Sequence, residues 1–186
     1  LASKVNLNSH YNNNTSKIMA INADIPTTAW DILVLISDDM IPEIKGFDQI
    51  IRSKMKEHYP DTDGVLWFFD GWREDLNTLC ILGRKYYDRF GYIYHPSYES
   101  FWSDAEFTEV GTNLNKQTYI DKVIIRHLHP DIVMADKDTR VKFAEFLPEY
   151  ASAGSCGHDQ LWQKNSLEGD PDHKIYLNRK AAGFQI

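Results

Sequence analysis

Cysteine is scarce in this chain of 186 residues, where only Cys80 and Cys156 are present. Two cysteines do not make the disulfide framework that stabilises many small secreted domains, and we therefore expect reduced thiols and a cytoplasmic protein. The chain also lacks any apolar run near the roughly 18 residues that a membrane-spanning helix needs. Its first residues lack the apolar segment of a signal peptide. The sequence therefore predicts no transmembrane segment.

The chain also has few basic residues. Its 20 lysines and arginines are outnumbered by 27 aspartates and glutamates, which gives a net charge of −7. Proteins that bind nucleic acid usually present a basic face, so this balance argues against nucleic acid as a partner. An acidic protein still binds an anionic nucleotide through a divalent cation, since the ion supplies positive charge locally. Neither length nor composition predicts an oligomeric state.

The order of apolar segments predicts an α/β domain over residues 16–186, preceded by a polar, asparagine-rich loop or arm at residues 1–15. Strands are predicted at 31–36, 65–69, 77–82 and 118–128, and a short extended piece at 173–178. Helices are predicted at 16–23, 43–58, 84–90, 104–110, 136–150 and 157–166. The continuous apolar run at 31–36 favours a strand buried on both faces, so we expect a mostly parallel central sheet.

Two adjacent aspartates, Asp38 and Asp39, follow the first predicted strand almost directly. In open α/β sheets, ligands bind beyond the carboxyl ends of the strands. Adjacent carboxylates repel each other unless a cation offsets the repulsion, and a divalent ion bound to them can also bridge to diphosphate oxygens. The pair therefore predicts a metal and nucleotide site. The alternative is a solvated loop that caps the next helix.

Further candidate side chains lie later in the chain. His127 and His129 are two residues apart after an apolar run, so on a strand they would share one face and could bind a divalent metal with the aspartates. A hydrogen-bonded structural histidine is the alternative for each. Asp104 opens a predicted helix, either as a first-turn acid favoured by the helix dipole or as a general base. Trp72 and Trp102 are candidate contacts for a sugar, because apolar sugar faces pack on aromatic rings.

The stretch from residue 16 to residue 42, SKIMAINADIPTTAWDILVLISDDMIP, resembles the middle of a family-2-type glycosyltransferase of the GT-A fold. Members of that family have a lysine and an asparagine in a helix, then a hydrophobic strand and an acidic DXD motif. Lys17 and Asn22 match the helix positions, and Ser37-Asp38-Asp39 matches the acidic motif with serine in its first place. The resemblance implies that Asp39 binds the metal, while Asp38 contacts the ribose or the metal's waters.

Residues 98–111 resemble the segment in which such enzymes carry their catalytic base at a helix N-terminus. This implies Asp104 as the base and Glu106 as a neighbouring support for substrate. A histidine after that segment completes the metal or diphosphate site in the family, which implies His129 first and His127 second.

The resemblance, which runs from residue 16 to about residue 130, thus implies a metal-dependent inverting glycosyltransferase that uses Mn²⁺ or Mg²⁺. Its donor is a nucleotide-diphosphate sugar and its acceptor a hydroxyl group of a carbohydrate or another molecule. The implied fold is the GT-A (Rossmann-like) three-layer sandwich. We expect it to be incomplete at its N-terminus, because the family's segment that reads the nucleotide base has no counterpart before Lys17.

Three other functions stay open on the sequence. The first is a non-catalytic carbohydrate- or nucleotide-binding module of the same fold, which has no need for both Asp39 and Asp104. The second is a metal-dependent phosphoester hydrolase that uses the two aspartates and the two histidines, although two-metal hydrolases need more ligands and only Asp70 is a further acid at a predicted strand end. The third is a structural α/β domain without a ligand.

Overall fold

The computed structural model describes residues 9–128 and 170–186, which form a mixed α/β fold. Its helices are α1 (Lys17–Ala23), α2 (Phe47–His58), α3 (Arg84–Asp88), α4 (Ser103–Asn113) and α5 (Pro171–Ala181). Its strands are β1 (Ile32–Val34), β2 (Met40–Pro42), β3 (Val65–Phe68), β4 (Ile81–Gly83), β5 (Gln117–Ile120) and β6 (Ile125–His127). None of the helices in these two ranges has the length and apolar character needed to cross a membrane.

The strands form a four-stranded sheet in the order β1-β4-β3-β5 and a separate pair of β2 with β6. β4 runs antiparallel to both β1 and β3, β2 runs antiparallel to β6, and β3 runs parallel to β5. The expected mostly parallel sheet is therefore wrong for the described residues. The connection from β3 to β4 contains no helix, whereas α3 and α4 lie between β3 and β5. Parallel neighbours need such a crossover, and only the second connection supplies one.

β1 was predicted to be buried on both faces, and this is also wrong, because its three residues are only half-buried at the edge of the sheet. The buried strands are the central ones: all three residues of β4 are buried, and in β3 all except the half-buried Trp67. An apolar run indicates that a strand packs against other parts of the protein, but it does not distinguish an edge strand from a central one.

Several element boundaries differ from the predictions for local reasons. α2 begins at Phe47 rather than residue 43, because Met40–Pro42 pairs with β6 instead of leading into the helix. The predicted strand at 118–128 is two strands, β5 and β6, which belong to different sheets. The predicted extended piece at 173–178 is part of helix α5. The helices predicted at 136–150 and 157–166 lie outside the described residues.

Both faces of the four-stranded sheet are covered. Val65 of β3 and Leu82 of β4 belong to an apolar cluster that includes side chains of α1, α3, α4 and α5. Leu66 and Ile81, their neighbours along each strand, belong to a second cluster with α2. Because successive side chains of a strand point to opposite faces, the two clusters lie on opposite sides of the sheet.

Candidate functional site

The turn between β1 and β2 brings the acidic pair next to β6. Met40 pairs with His127 in the β2–β6 ladder, and the Leu128 N–H donates to the Asp39 carbonyl at 2.8 Å. This register places Nε2 of His127 3.1 Å from Oδ2 of Asp39. The Ser37 hydroxyl donates to the other carboxylate oxygen of Asp39. Asp39 and His127 are thus in contact, while Asp38 is exposed in the same turn.

A second carboxylate, Asp70, lies on the other side of the His127 ring, with Oδ2 3.6 Å from Nδ1. Asp70 is 2% exposed, and its Oδ1 accepts the backbone N–H groups of Trp72 and Arg73 at 2.7 and 2.8 Å. The Thr78 hydroxyl donates to Oδ2 at 2.6 Å. The backbone N–H of His127 also donates to the backbone carbonyl of Asp70 at 3.0 Å. The sequence pointed to Asp70 only as a further acid at a predicted strand end, in the hydrolase alternative, and it did not predict the contact with His127.

The charges of this cluster depend on one another. Burial by itself lowers the pKa of His127, but the contacts with Asp39 and Asp70 outweigh burial and raise that pKa to about 9. Burial raises the pKa of Asp39, yet His127 and the Ser37 hydroxyl hold it well below its ordinary value. The pKa of Asp70 is lowered in the same way, by His127, Thr78 and the two backbone N–H groups, against the effect of burial. At neutral pH the cluster is therefore an imidazolium between two carboxylates.

The donor atoms of Asp39 and His127 fit a divalent cation as a pair. A carboxylate oxygen and an imidazole nitrogen are both ordinary ligands of such ions, and binding requires His127 to lose its Nε2 proton. Within residues 9–128 and 170–186, no group of three or more His, Cys, Asp or Glu side chains is arranged to hold a metal ion. A divalent ion at this pair would therefore need further ligands from outside the described side chains. His129 lies outside the described residues.

Asp104 is the partly buried acid in the first turn of α4. Its carboxylate accepts the N–H of Ala105 at 2.9 Å, and no described cation forms an ion pair with it. Burial raises the pKa of Asp104, against the weaker effects of the Ala105 N–H and of the positive charges of Lys17 and Arg73. A carboxyl group with a raised pKa and no ion-pair partner in residues 9–128 and 170–186 is a candidate for a general acid or base.

Two consecutive residues connect Asp104 with the Asp39–His127–Asp70 cluster. The backbone N–H of Asn77 donates to the Thr108 hydroxyl at 3.0 Å, and that hydroxyl in turn donates to the backbone carbonyl of Asp104, one turn earlier in α4, at 2.7 Å. The next residue, Thr78, donates to Asp70. The two acidic positions that lie far apart in the sequence are thus linked through one short segment.

The remaining predicted site residues fall into two groups. Lys17 is exposed at the first position of α1, and Trp72 is 42% exposed beside Arg73. Asn22 is not open to a ligand in this way, because its side chain donates to the Tyr94 carbonyl at 2.7 Å and accepts the Ile93 N–H at 3.0 Å. Asn22 therefore holds the backbone of residues 93–94 against α1.

Glu106 and Trp102 both contact the C-terminal helix. Glu106 is 4% exposed, and its two oxygens accept hydrogen bonds from Nε and Nη2 of Arg179, each at 2.7 Å. The Tyr98 hydroxyl is a third donor, also at 2.7 Å. The Trp102 ring stacks on His173 with centroids 4.2 Å apart. These contacts occupy the carboxylate of Glu106 and one face of the Trp102 ring, so Trp72 is the more accessible of the two tryptophans predicted to contact a sugar.

Comparison of the chain with protein-family models, with curated proteins and with solved structures finds no match. Any functional assignment therefore depends on the chemistry of the residues themselves.

Proposed function

We propose that this chain is part of a metal-dependent inverting glycosyltransferase of the GT-A type, which transfers a sugar from a nucleotide-diphosphate sugar to an acceptor hydroxyl. The observation that carries the proposal is a hydrogen-bonded connection between Asp70, the partner of a carboxylate–imidazole pair, and the backbone of the helix that carries a separate carboxyl group. Asp39 and His127 supply the pair, and Asp104, whose pKa is raised, is the separate group. Segment 77–78 connects the two positions.

In this proposal the two positions have different tasks. Asp39 and His127 would hold Mn²⁺ or Mg²⁺ together with the donor diphosphate, and such an ion would supply positive charge against the negative charge of the departing diphosphate. Asp104 takes the proton of the acceptor hydroxyl while the hydroxyl oxygen attacks the anomeric carbon. The bond from that carbon to the diphosphate oxygen breaks in the same step. One displacement of this kind inverts the anomeric configuration.

Three further features agree with this assignment. Lys17 and Arg73 place positive charge near Asp104, where an anionic donor must approach. Trp72 offers an accessible ring next to Arg73 for packing against a sugar. The helices on both faces of the four-stranded sheet are compatible with a three-layer sandwich, and we include the GT-A form of that sandwich in the proposal.

The phosphoester hydrolase is less compatible with the contacts of Asp70. A two-metal site would need this side chain as an additional ligand. Asp70 is instead nearly inaccessible, and backbone N–H groups and the Thr78 hydroxyl already donate to both of its oxygens. This arrangement favours Asp70 as a partner of His127 and the cluster as a site for one ion.

The test combines donor binding with transfer. Thermal unfolding is measured with a panel of nucleoside diphosphates, each with and without Mn²⁺, because a ligand of the folded state raises the midpoint by mass action. We expect the unfolding midpoint to rise only when Mn²⁺ and a nucleoside diphosphate are both present, and this rise should disappear in Asp39→Ala. With the donor identified, Asp104→Asn should keep the shift and lower kcat by about 10²-fold or more.

Asp48→Asn is the matched control, since Asp48 is an exposed acid in the first turn of α2. This variant should bind and transfer as the parent does. Transfer by Asp104→Asn at the parent rate would show that Asp104 is not the base. The absence of a metal-dependent shift with every nucleoside diphosphate would contradict the proposal as a whole.

A further inference from the structure

Helix α5 holds the loop that leads into α4 through one buried carboxylate. Asp172 is 2% exposed, and it accepts the backbone N–H groups of Glu99, Ser100 and Phe101 at 3.0, 2.7 and 2.8 Å. The other side of this loop contacts α1, because the Ile18 N–H donates to the Glu99 carbonyl at 3.2 Å. The loop is thus fixed between two helices, and Asp172 supplies the acceptor for three of its backbone donors.

Trp102, which directly precedes α4, has a left-handed backbone with φ of 62°. A bulky residue in that region is strained unless its surroundings hold it there. Those surroundings come from α5 and its N-cap residue, since the ring stacks on His173 and the indole N–H donates to Asp170. Trp102 is the N-cap residue of α4, and Asp104 is only two residues further on.

The outer face of α4 is fixed to the same helix by charge. Arg179 forms the two-bond ion pair with Glu106, and Lys180 contacts Glu109 one turn later at 2.7 Å. Pairs in which an arginine donates two parallel bonds to a carboxylate are strong and geometrically specific. The Arg179–Glu106 pair is also largely buried, which makes it sensitive to the loss of either partner.

We infer that α5 is a positioning element for Asp104, and that Asp172 is its central positioning residue. The inference rests on the proposed function, because Asp104 is the base in that proposal. Asp172 has no route to the substrate, since it is buried behind the loop that it holds. Its effect on the reaction is indirect: it fixes the start of α4 and thereby the orientation of the Asp104 carboxyl group.

The test uses Asp172→Ala in the full chain, with Asp172→Asn as the milder variant that keeps one acceptor oxygen. Lys174→Ala is the matched control, because Lys174 is an exposed residue of the same helix. Hydrogen exchange of the Ser100 and Phe101 amides shows whether the loop is released. The titration of the Asp104 carboxyl group, followed by carbon NMR, reports its surroundings without any need for activity.

We expect faster exchange at the two loop amides in Asp172→Ala, with the amides of β3 and β4 unchanged. The Asp104 titration should move toward that of an exposed aspartate, and kcat should fall at least tenfold while the KM for the donor stays within twofold. Asp172→Asn should lie between this variant and the parent, and Lys174→Ala should match the parent. If Asp172→Ala does not fold, Asp172→Asn decides the outcome by the same measurements.

An unchanged Asp104 titration in a variant whose loop amides exchange faster would overturn the inference. So would a change in the KM for the donor with kcat preserved. Failure of the proposed function gives a different result, namely a parent protein without metal-dependent nucleotide binding or transfer. The Asp104 titration still decides in that case whether α5 sets the surroundings of this carboxyl group.

Discussion

His127 should make the stability of this protein depend on pH in a specific direction. The imidazole ring is 13% exposed, and it contacts the carboxylates of Asp39 and Asp70 through its two nitrogens. These contacts raise its pKa from 6.5 to about 9, although burial acts in the opposite direction. The folded state therefore keeps a proton on His127 over a range in which the unfolded chain has lost it.

A difference of this size corresponds to roughly 3 kcal/mol, at about 1.4 kcal/mol for each pH unit between the two pKa values. The sign follows from the raised value. The stabilisation is fully present below pH 6.5, and it is lost as the pH rises through about 9. The lowered pKa values of Asp39 and Asp70 result from the same contacts with His127. Their contribution to stability is lost only when the carboxylates are protonated at low pH, so it is not added to the free energy given for His127.

The measurement is urea-induced unfolding of the parent and of His127→Gln across this pH range, with a chelator present to exclude metal ions. We expect the parent to be the more stable protein below pH 6.5. The difference in the free energy of unfolding between the parent and the variant should decrease by roughly 3 kcal/mol as the pH approaches 9. His58→Gln is the control, since His58 forms its ion pair in the described part of the chain with the exposed Glu57. Parallel pH profiles for the parent and His127→Gln would refute the reasoning.

Two other predictions concern the sheet. Gly83→Ala should destabilise the fold by about 3 kcal/mol or more, because a Cβ atom at this position would lie 2.1 Å from the Thr62 carbonyl oxygen. Gly91→Ala is its control, with φ of 73° but no atom within 4 Å of the added Cβ, so urea unfolding should show about 1 kcal/mol of backbone strain. Cys80 is fully buried and burial raises the pKa of its thiol, so a thiol reagent should label it only at the rate of global unfolding. Labelling of the Cys80 peptide much faster than unfolding, measured by mass spectrometry, would contradict this.

Local patterns in the sequence were sufficient for several elements and for part of the candidate site. The apolar run at 65–69 predicted β3, and the spacing of apolar residues predicted most of α2. Ser16, the first residue of the helix predicted at 16–23, is the N-cap of α1, where its hydroxyl accepts the Met19 N–H. These signals depend on neighbouring residues only, so no knowledge of the tertiary structure is needed to use them.

Asp39 and His127 were both predicted as candidate metal ligands, and the structure brings their side chains into contact. The sequence indicated the type of each side chain, but it did not predict the β2–β6 ladder that joins two positions 88 residues apart. It also did not place Asp70 behind His127, because that contact depends on the register of separate segments. Their roles at a metal ion remain predictions.

The amino-acid sequence by itself indicated most of the segments that become helices or strands, and it determined which carboxylates and imidazoles the chain can present. Only the tertiary structure decided that the sheet is mostly antiparallel, and that α5 closes over the start of α4. The predicted extended piece at 173–178 is a helix whose Asp172 holds a loop more than 70 residues earlier in the chain. The physical reason is that strand direction, burial and ion pairing depend on contacts between segments far apart in the sequence. Local residue patterns do not predict those contacts.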